Sequence, residues 1–176
     1  NTLVHDGWSK EQVRLIYNPV SVSKSIALLP EAPPNLLVCA GRLVPLKGTD
    51  RLIKALKNIE QLPWTLWIFG NGTEGDRLRK LVEKLDLQER IQFNGKIPYT
   101  ELQAVLKAST AFVQPNVGPE GFGLSAAEAS ALGVPVIAFD VPALNEIIEH
   151  NANGLLAKAD DIDSLSECLQ QILEHP

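Results

Sequence analysis

A chain of 176 residues is the length of one domain, and its 45% hydrophobic and 21% charged residues exclude disorder and low-complexity sequence. Sixteen Lys and Arg against twenty-one Asp and Glu give a net charge of -5, which excludes the broad basic footprint of a nucleic-acid binder but leaves room for a local anion site. Cys39 and Cys168 each lie in an apolar run and read as buried hydrophobes, which excludes a disulfide framework. His5, His150 and His175 have no partner at metal-ligand spacing, so neither a metal nor a cofactor is expected. No apolar stretch reaches the ~18 residues of a membrane span, and no basic-then-apolar leader opens the chain. A cytoplasmic location is the expectation. The chain begins at Asn1 and contains no methionine, as a piece of a longer protein would.

Short apolar runs rich in β-branched residues predict strands buried on both faces at Val13–Tyr17, Leu36–Gly41, Thr65–Gly70, Arg90–Asn94, Ala111–Gln114 and Val134–Phe139. The Pro-rich stretch Leu29–Asn35 reads as a linker. Helical stripes lie between the strands. Leu52, Ile53, Leu56 and Ile59 form one, and Leu78, Leu81, Val82 and Leu85 a second. Thr73 with Asp76, and Thr100 with Gln103 ahead of Val105 and Leu106, predict capped helix starts. Further helices are expected over Leu124–Leu132, Leu144–His150 and Ile162–Leu173. This alternation predicts an α/β fold: a Rossmann-like, doubly wound parallel sheet with right-handed crossovers, whose chemistry belongs in the loops after the strands.

Gly70, Gly72 and Gly75 form a GxGxxG after a strand, as a dinucleotide fingerprint would. Asn94 stands where that fingerprint needs an acid for the ribose, and earlier strands precede the motif, so a tight turn needing small residues is the favoured alternative. Arg42 and Lys47 flank a proline-stiffened loop after the strand Leu36–Gly41, where a guanidinium and an ammonium could meet one diphosphate. The alternative is a pair of solvated charges. In Glu120-Gly121-Phe122-Gly123-Leu124, the glycines admit close backbone approach, and the helix that starts there aims unpaired N–H groups at an anion. Glu120 then lies in the loop and Glu128 just inside the helix, two carboxylates able to accept paired sugar hydroxyls beside a phosphate. A helix-dipole acid plus a surface acid is the plainer alternative.

Together these motifs resemble the C-terminal, donor-binding domain of retaining glycosyltransferases of the two-Rossmann-domain (GT-B) type, the family called glycosyl transferases group 1. Gly41-Arg42 with Lys47-Gly48, then Gly70-Asn71-Gly72, then Glu120 to Glu128 occur in the family's order over about Val13 to Leu173. The resemblance implies that Arg42 and Lys47 neutralise a nucleotide diphosphate, with the amides of Gly123 and Leu124. It also implies that Glu128 holds the ribose, Glu120 contacts the transferred sugar, and the backbone around Ile97 meets the base. The loop from Pro115 to Glu120 is one residue longer than the commonest family form. On this reading residues 13–176 form a nucleotide-sugar-binding domain, and residues 1–12 are a linker or the tail of an N-terminal domain absent from the chain. That domain would bind the acceptor and would carry any peripheral membrane association.

The implied donor is a UDP-, GDP- or ADP-sugar, and the implied reaction is a metal-independent, retaining hexosyl transfer in which Arg42, Lys47 and Glu120 act at the reacting bond. The isolated piece is expected to be inactive. A non-catalytic nucleotide-sugar-binding or regulatory module is the alternative.

Overall fold

The computed structural model describes residues 5–9, 11, 13–14, 16–23, 26, 31–118 and 120–175. Six strands form one parallel sheet: β1 (Leu36–Ala40), β2 (Thr65–Phe69), β3 (Ile91–Gly95), β4 (Ala111–Gln114), β5 (Val136–Phe139) and β6 (Gly154–Ala157). Their order across the sheet is β3-β2-β1-β4-β5-β6. The chain starts at the centre, winds outward to β3, then returns to β4 beside β1 and winds out the other way. β1 and β4 pair through Leu37 opposite Ala111 and Val38 opposite Phe112. In such sheets ligands sit beyond the carboxyl ends of the strands, where the winding reverses.

Helix α1 (Thr49–Asn58) packs on α2 (Gly75–Lys84) and on the C-terminal α6 (Ile162–Glu174). The other layer holds α3 (Tyr99–Lys107), α4 (Leu124–Ala131) and the single turn α5 (Leu144–Ile147), with α4 against β4 and β5. Right-handed crossovers in opposite winding directions account for the two layers. Leu36, Leu37 and Val38 of β1, and Phe112 and Phe139 of β4 and β5, are fully buried beside Leu52 and Leu56 of α1. Each such side chain contributes about 1.5–3 kcal/mol of burial. The Ser166 hydroxyl donates to the carbonyls of Ala55 and Ile162, so a small polar residue lets α6 approach α1 closely.

Five predicted strands form within a residue or two of their expected ends. Of the expected strand Val13–Tyr17, Leu15 lies outside the described residues and Val13, Arg14, Ile16 and Tyr17 lie outside any strand, with Ile16 79% exposed. A short apolar run becomes a strand only where a neighbour supplies a ladder, and here the Tyr17 ring instead meets Phe122, with centroids 6.0 Å apart. The sixth strand, β6 (Gly154–Ala157), was not expected: it opens on a glycine and carries no β-branched residue, so its short run lacks the signal that marked the others. β3, at the sheet edge, alternates between buried and exposed positions and is not covered on both faces.

The expected caps also differ. Glu74 and Pro98 occupy the cap positions of α2 and α3, without side-chain caps. Gln103 is buried and turns away from its own helix start: its amide donates to the Ser21 carbonyl and accepts from the Ser23 N–H. A long-range partner has displaced the local one. Both cysteines are free and buried, and burial pushes the Cys39 thiol up to about 12. The expected linker Leu29–Asn35 and tail 1–12 lie partly outside the described residues; within the first, the described residues 31–35 form no helix or strand.

Candidate functional site

Three loops converge over the carboxyl ends of β1, β2 and β4. The loop after β1 is tied to the loop after β2 by hydrogen bonds from Gly41 N to Phe69 O, from Leu43 N to Asn71 O and from Glu74 N to Leu43 O. A Cβ on Gly70, whose φ is +119°, would lie 1.9 Å from the Gly41 carbonyl oxygen, and one on Gly72 would lie 2.1 Å from that of Leu43. These glycines therefore serve close backbone packing, which is the tight-turn alternative to the dinucleotide fingerprint.

The loop after β1 is likewise pressed against the loop after β4. Val117 N donates to Leu46 O at 3.0 Å, and Gly48, in the left-handed conformation, leaves a Cβ only 1.8 Å from the Pro115 carbonyl oxygen. A 3-10 turn, Pro45–Lys47, stiffened by Pro45, ends at Gly48. This contact brings Lys47 to Glu120: Nζ lies 2.6 Å from Oε2, with both side chains mostly buried. The Asn116 side-chain amide donates to the same oxygen at 2.5 Å and that of Gln114 at 3.3 Å, while Gly121 N donates to Oε1 at 3.1 Å. Burial alone would raise the Glu120 carboxyl. The hydrogen bond and charge of Lys47, with the Asn116 amide and the Gly121 N–H, outweigh it and hold the group below its ordinary value. The two charges predicted to meet a ligand thus meet each other in the free protein.

Arg42 is exposed at the mouth of two hollows. One, over the ends of β1 and β4, it shares with Lys47, Thr49, Gln114 and Asn116. The other, a cavity of about 310 Å³, it shares with Gly41, Phe69, Asn71, Lys96 and Ile97. Among the described residues no carboxylate pairs with Arg42, so its guanidinium is available to an anion. Ile97 and Arg42 are thereby brought together in the lining of one cavity. A second cavity of about 410 Å³ lies at the opposite end of β5 and β6, against Gln171 and His175 of the C-terminal segment, and holds none of the predicted residues.

Helix α4 starts at Gly123, whose φ is +85° and whose Cβ would approach the Leu144 side chain to 2.7 Å. No side chain caps it, so the first N–H groups, from Leu124 onward, keep the +0.5 charge of the helix terminus uncancelled. Gly121 is exposed, Leu124 is partly exposed and the Phe122 ring rests against Tyr17. Glu128 lies one turn along, half-buried, and burial raises its carboxyl above the ordinary value. The Tyr99 hydroxyl beside it offsets this in part when its single proton turns to the carboxylate; its other acceptor is Ser21 O, at 2.9 Å. No hydrogen bond joins Glu120 to Glu128 among the described residues. The two carboxylates flank the helix start separately, one ion-paired and one without a cation among the described residues.

The sequence reading missed Gln114, Asn116 and Tyr99. Gln114 and Asn116 had a signal: two amides at strand spacing, which places them on one face, at the end of an otherwise apolar strand. Tyr99 had none, because its place beside Glu128 depends on how α3 packs on α4.

The sequence model of the family described as "Glycosyl transferases group 1" matches residues 24–176. The GDP-mannose-dependent monoacylated alpha-(1-6)-phosphatidylinositol monomannoside mannosyltransferase of Corynebacterium glutamicum is 34% identical over 149 residues, 80% of this chain and 38% of that protein. An uncharacterized glycosyltransferase of Haemophilus influenzae is 29% identical over 168 residues, 90% of this chain and 46% of that protein. Among solved structures, Anabaena HepE in complex with UDP superposes with a TM-score of 0.71 at 28% identity, covering 80% of this chain and 39% of that one. A variant of S. aureus TarM in complex with Fondaparinux, alpha-GlcNAc-glycerol and UDP shares the fold, with a TM-score of 0.82 at 24% identity over 99% of this chain and 35% of that one. The chain thus spans less than half the length of these relatives. The six-stranded sheet is of the Rossmann-like type found in GT-B glycosyltransferases.

Proposed function

This chain belongs to the glycosyl transferases group 1 family, and from that premise we propose that it is the donor-binding domain of a hexosyltransferase that uses a nucleotide sugar. The carrying observation is the meeting of Lys47, Glu120, the free guanidinium of Arg42 and the uncapped start of α4 at the point where the sheet's winding reverses. A nucleoside diphosphate fits this arrangement: base in the cavity lined by Ile97, ribose on Glu128, diphosphate between Arg42, Lys47 and the amides of Gly123 and Leu124. Glu120, with Gly121 and Phe122 in the same loop, borders the place of the transferred sugar. Residues 13–176 form this domain, and residues 1–12 lead in from an acceptor-binding portion.

Cleaving the sugar–phosphate bond moves negative charge onto the departing diphosphate. Fixed cations and a helix terminus aimed at that charge stabilise it as it develops. Each charge-assisted bond of this kind contributes about 1.5–3 kcal/mol, so Arg42, Lys47 and α4 together supply leaving-group assistance without a metal. Retention of configuration is part of the proposal, through a route that needs no protein nucleophile. The Corynebacterium relative is named as GDP-mannose-dependent and the Anabaena structure holds UDP, so the base is left for experiment to choose.

The test is a calorimetric panel of UDP-, GDP- and ADP-sugars on this chain. One base class is expected to bind, with no sugar transfer to an added acceptor until the acceptor-binding portion is restored. Binding of none of them would sink the donor-site reading. Efficient transfer by the chain alone would sink the division of labour between the two portions.

A further inference from the structure

We infer that Gln114 and Asn116 are positioning residues for Glu120: their side-chain amides hold one carboxylate oxygen so that the other is presented to the transferred sugar. This rests on the reading of Glu120 given above and adds two residues that the site's motifs do not contain. Gln114 closes β4 and Asn116 follows two residues later, and both are almost fully buried, at 5% and 2% exposure. Their amides converge on Oε2 of Glu120, at 3.3 and 2.5 Å, and Lys47 Nζ meets the same atom at 2.6 Å. Oε1 has the Gly121 N–H at 3.1 Å. Three side-chain donors crowd one oxygen, leaving the other with lone pairs for a hydroxyl.

An ionised carboxylate only accepts, so each amide must turn its NH2 group toward Glu120. Gln114 Oε1 and Asn116 Oδ1 are then buried without a hydrogen-bond partner among the described residues. Leaving a buried acceptor unsatisfied is unfavourable, since it has given up its water without gaining a partner. Residues kept at these positions for packing would be apolar, as Phe112 and Val113 are in the same strand. Amides here make sense through what their NH2 groups hold.

Their neutrality also matters. In the free protein Lys47 serves Glu120, and in the proposed complex it serves the diphosphate. When Lys47 transfers its bond, Glu120 loses a cation and the two amides remain. They keep the carboxylate ionised and aimed without adding a charge that would compete for the phosphate.

The experiment compares the native chain with Gln114→Leu, Asn116→Leu and the double variant, with Asn116→Ser as a donor-retaining rescue and Asn116→Ala as a smaller change should the leucines disturb folding. Two quantities are read. The first is titration of the Glu120 carboxyl by carbon-detected NMR. The second is the ratio of the Kd for UDP to that for UDP-glucose, repeated with GDP and GDP-mannose. The double variant should raise the Glu120 carboxyl toward its ordinary value, because it removes two donors to the ionised form. It should also erase about tenfold of the affinity that the sugar adds, leaving the bare diphosphate within about twofold. Asn116→Ser should recover part of both. A Glu120 titration unmoved in every variant overturns the inference whether or not a nucleotide binds. Equal losses for diphosphate and nucleotide sugar overturn it as well, since they would mark a structural role. If the native chain binds no nucleotide, the donor reading fails and the sugar-presenting role fails with it, while the titration separately decides whether the amides hold Glu120.

Discussion

Replacing Lys47 with alanine removes an ammonium that the free protein already uses. Its Nζ lies 2.6 Å from Glu120 Oε2, and the two side chains are 26% and 18% exposed. On the proposed reading, diphosphate binding is an exchange in which the Lys47–Glu120 bond breaks and a Lys47–phosphate bond forms. A charge-assisted bond is worth about 1.5–3 kcal/mol, but the bond surrendered is of the same kind and offsets part of it. The net loss in Lys47→Ala should thus fall near the low end, about 1.5 kcal/mol or roughly tenfold in Kd. The same exchange makes an opposite forecast for Glu120→Gln. With no carboxylate to hold it, Lys47 is released to the phosphate, and the bare diphosphate should bind as well as before or up to severalfold more tightly, while the nucleotide sugar loses its advantage. Calorimetry with diphosphate and nucleotide sugar on all three proteins at one salt concentration measures both. An unchanged Kd in Lys47→Ala would refute the phosphate role. A loss of bare-diphosphate affinity in Glu120→Gln equal to that in Lys47→Ala would refute the exchange.

Glu128→Gln should weaken the bare diphosphate by about tenfold, because a carboxylate accepts paired hydroxyls better than an amide does; calorimetry checks it. In the native chain burial holds the Glu128 carboxyl above its ordinary value, and a ribose hydrogen-bonded to the ionised form would lower it. Binding should therefore release protons at and just above the ordinary carboxylate range and tighten as pH rises through it, which calorimetry in buffers of different ionisation enthalpy detects. Gly70→Ala forces a Cβ to within 1.9 Å of the Gly41 carbonyl oxygen at a positive φ; thermal unfolding should show a loss of about 1–3 kcal/mol together with weaker nucleotide binding. Asp50 is buried, and that burial is outweighed by the hydrogen bond and charge of Arg51 and by Lys54 and Arg77, which hold its carboxyl below the ordinary value. Its contribution is present above the ordinary value and lost as pH falls through the depressed one. Asp50→Asn should therefore cost about 1–3 kcal/mol near neutral pH and flatten the acid limb of the stability curve, as urea unfolding across pH would record.

The amino-acid sequence alone determined the parallel α/β sheet, because central strands buried on both faces read as unbroken apolar runs such as Leu36–Ala40 and Ala111–Val113, and helices as stripes at 3.6-residue spacing. It also marked the loops after β1 and β4 as the place for chemistry, because glycines, cations and acids cluster where the winding must reverse. Periodicity has no term for the partner of a segment. Val13–Tyr17 therefore looked like a strand although its described residues pair with no strand, and Gly154–Ala157 went unnoticed although β5 supplies its ladder. The pairing of Lys47 with Glu120, 73 residues apart, was decided only when Gly48 and Pro115 let two loops touch. The turning of Gln103 toward residues 21 and 23, and of Gln114 and Asn116 toward Glu120, belongs to the same class. A buried polar group takes whatever partner the packed chain brings within about 3 Å, and only the tertiary structure says which one that is.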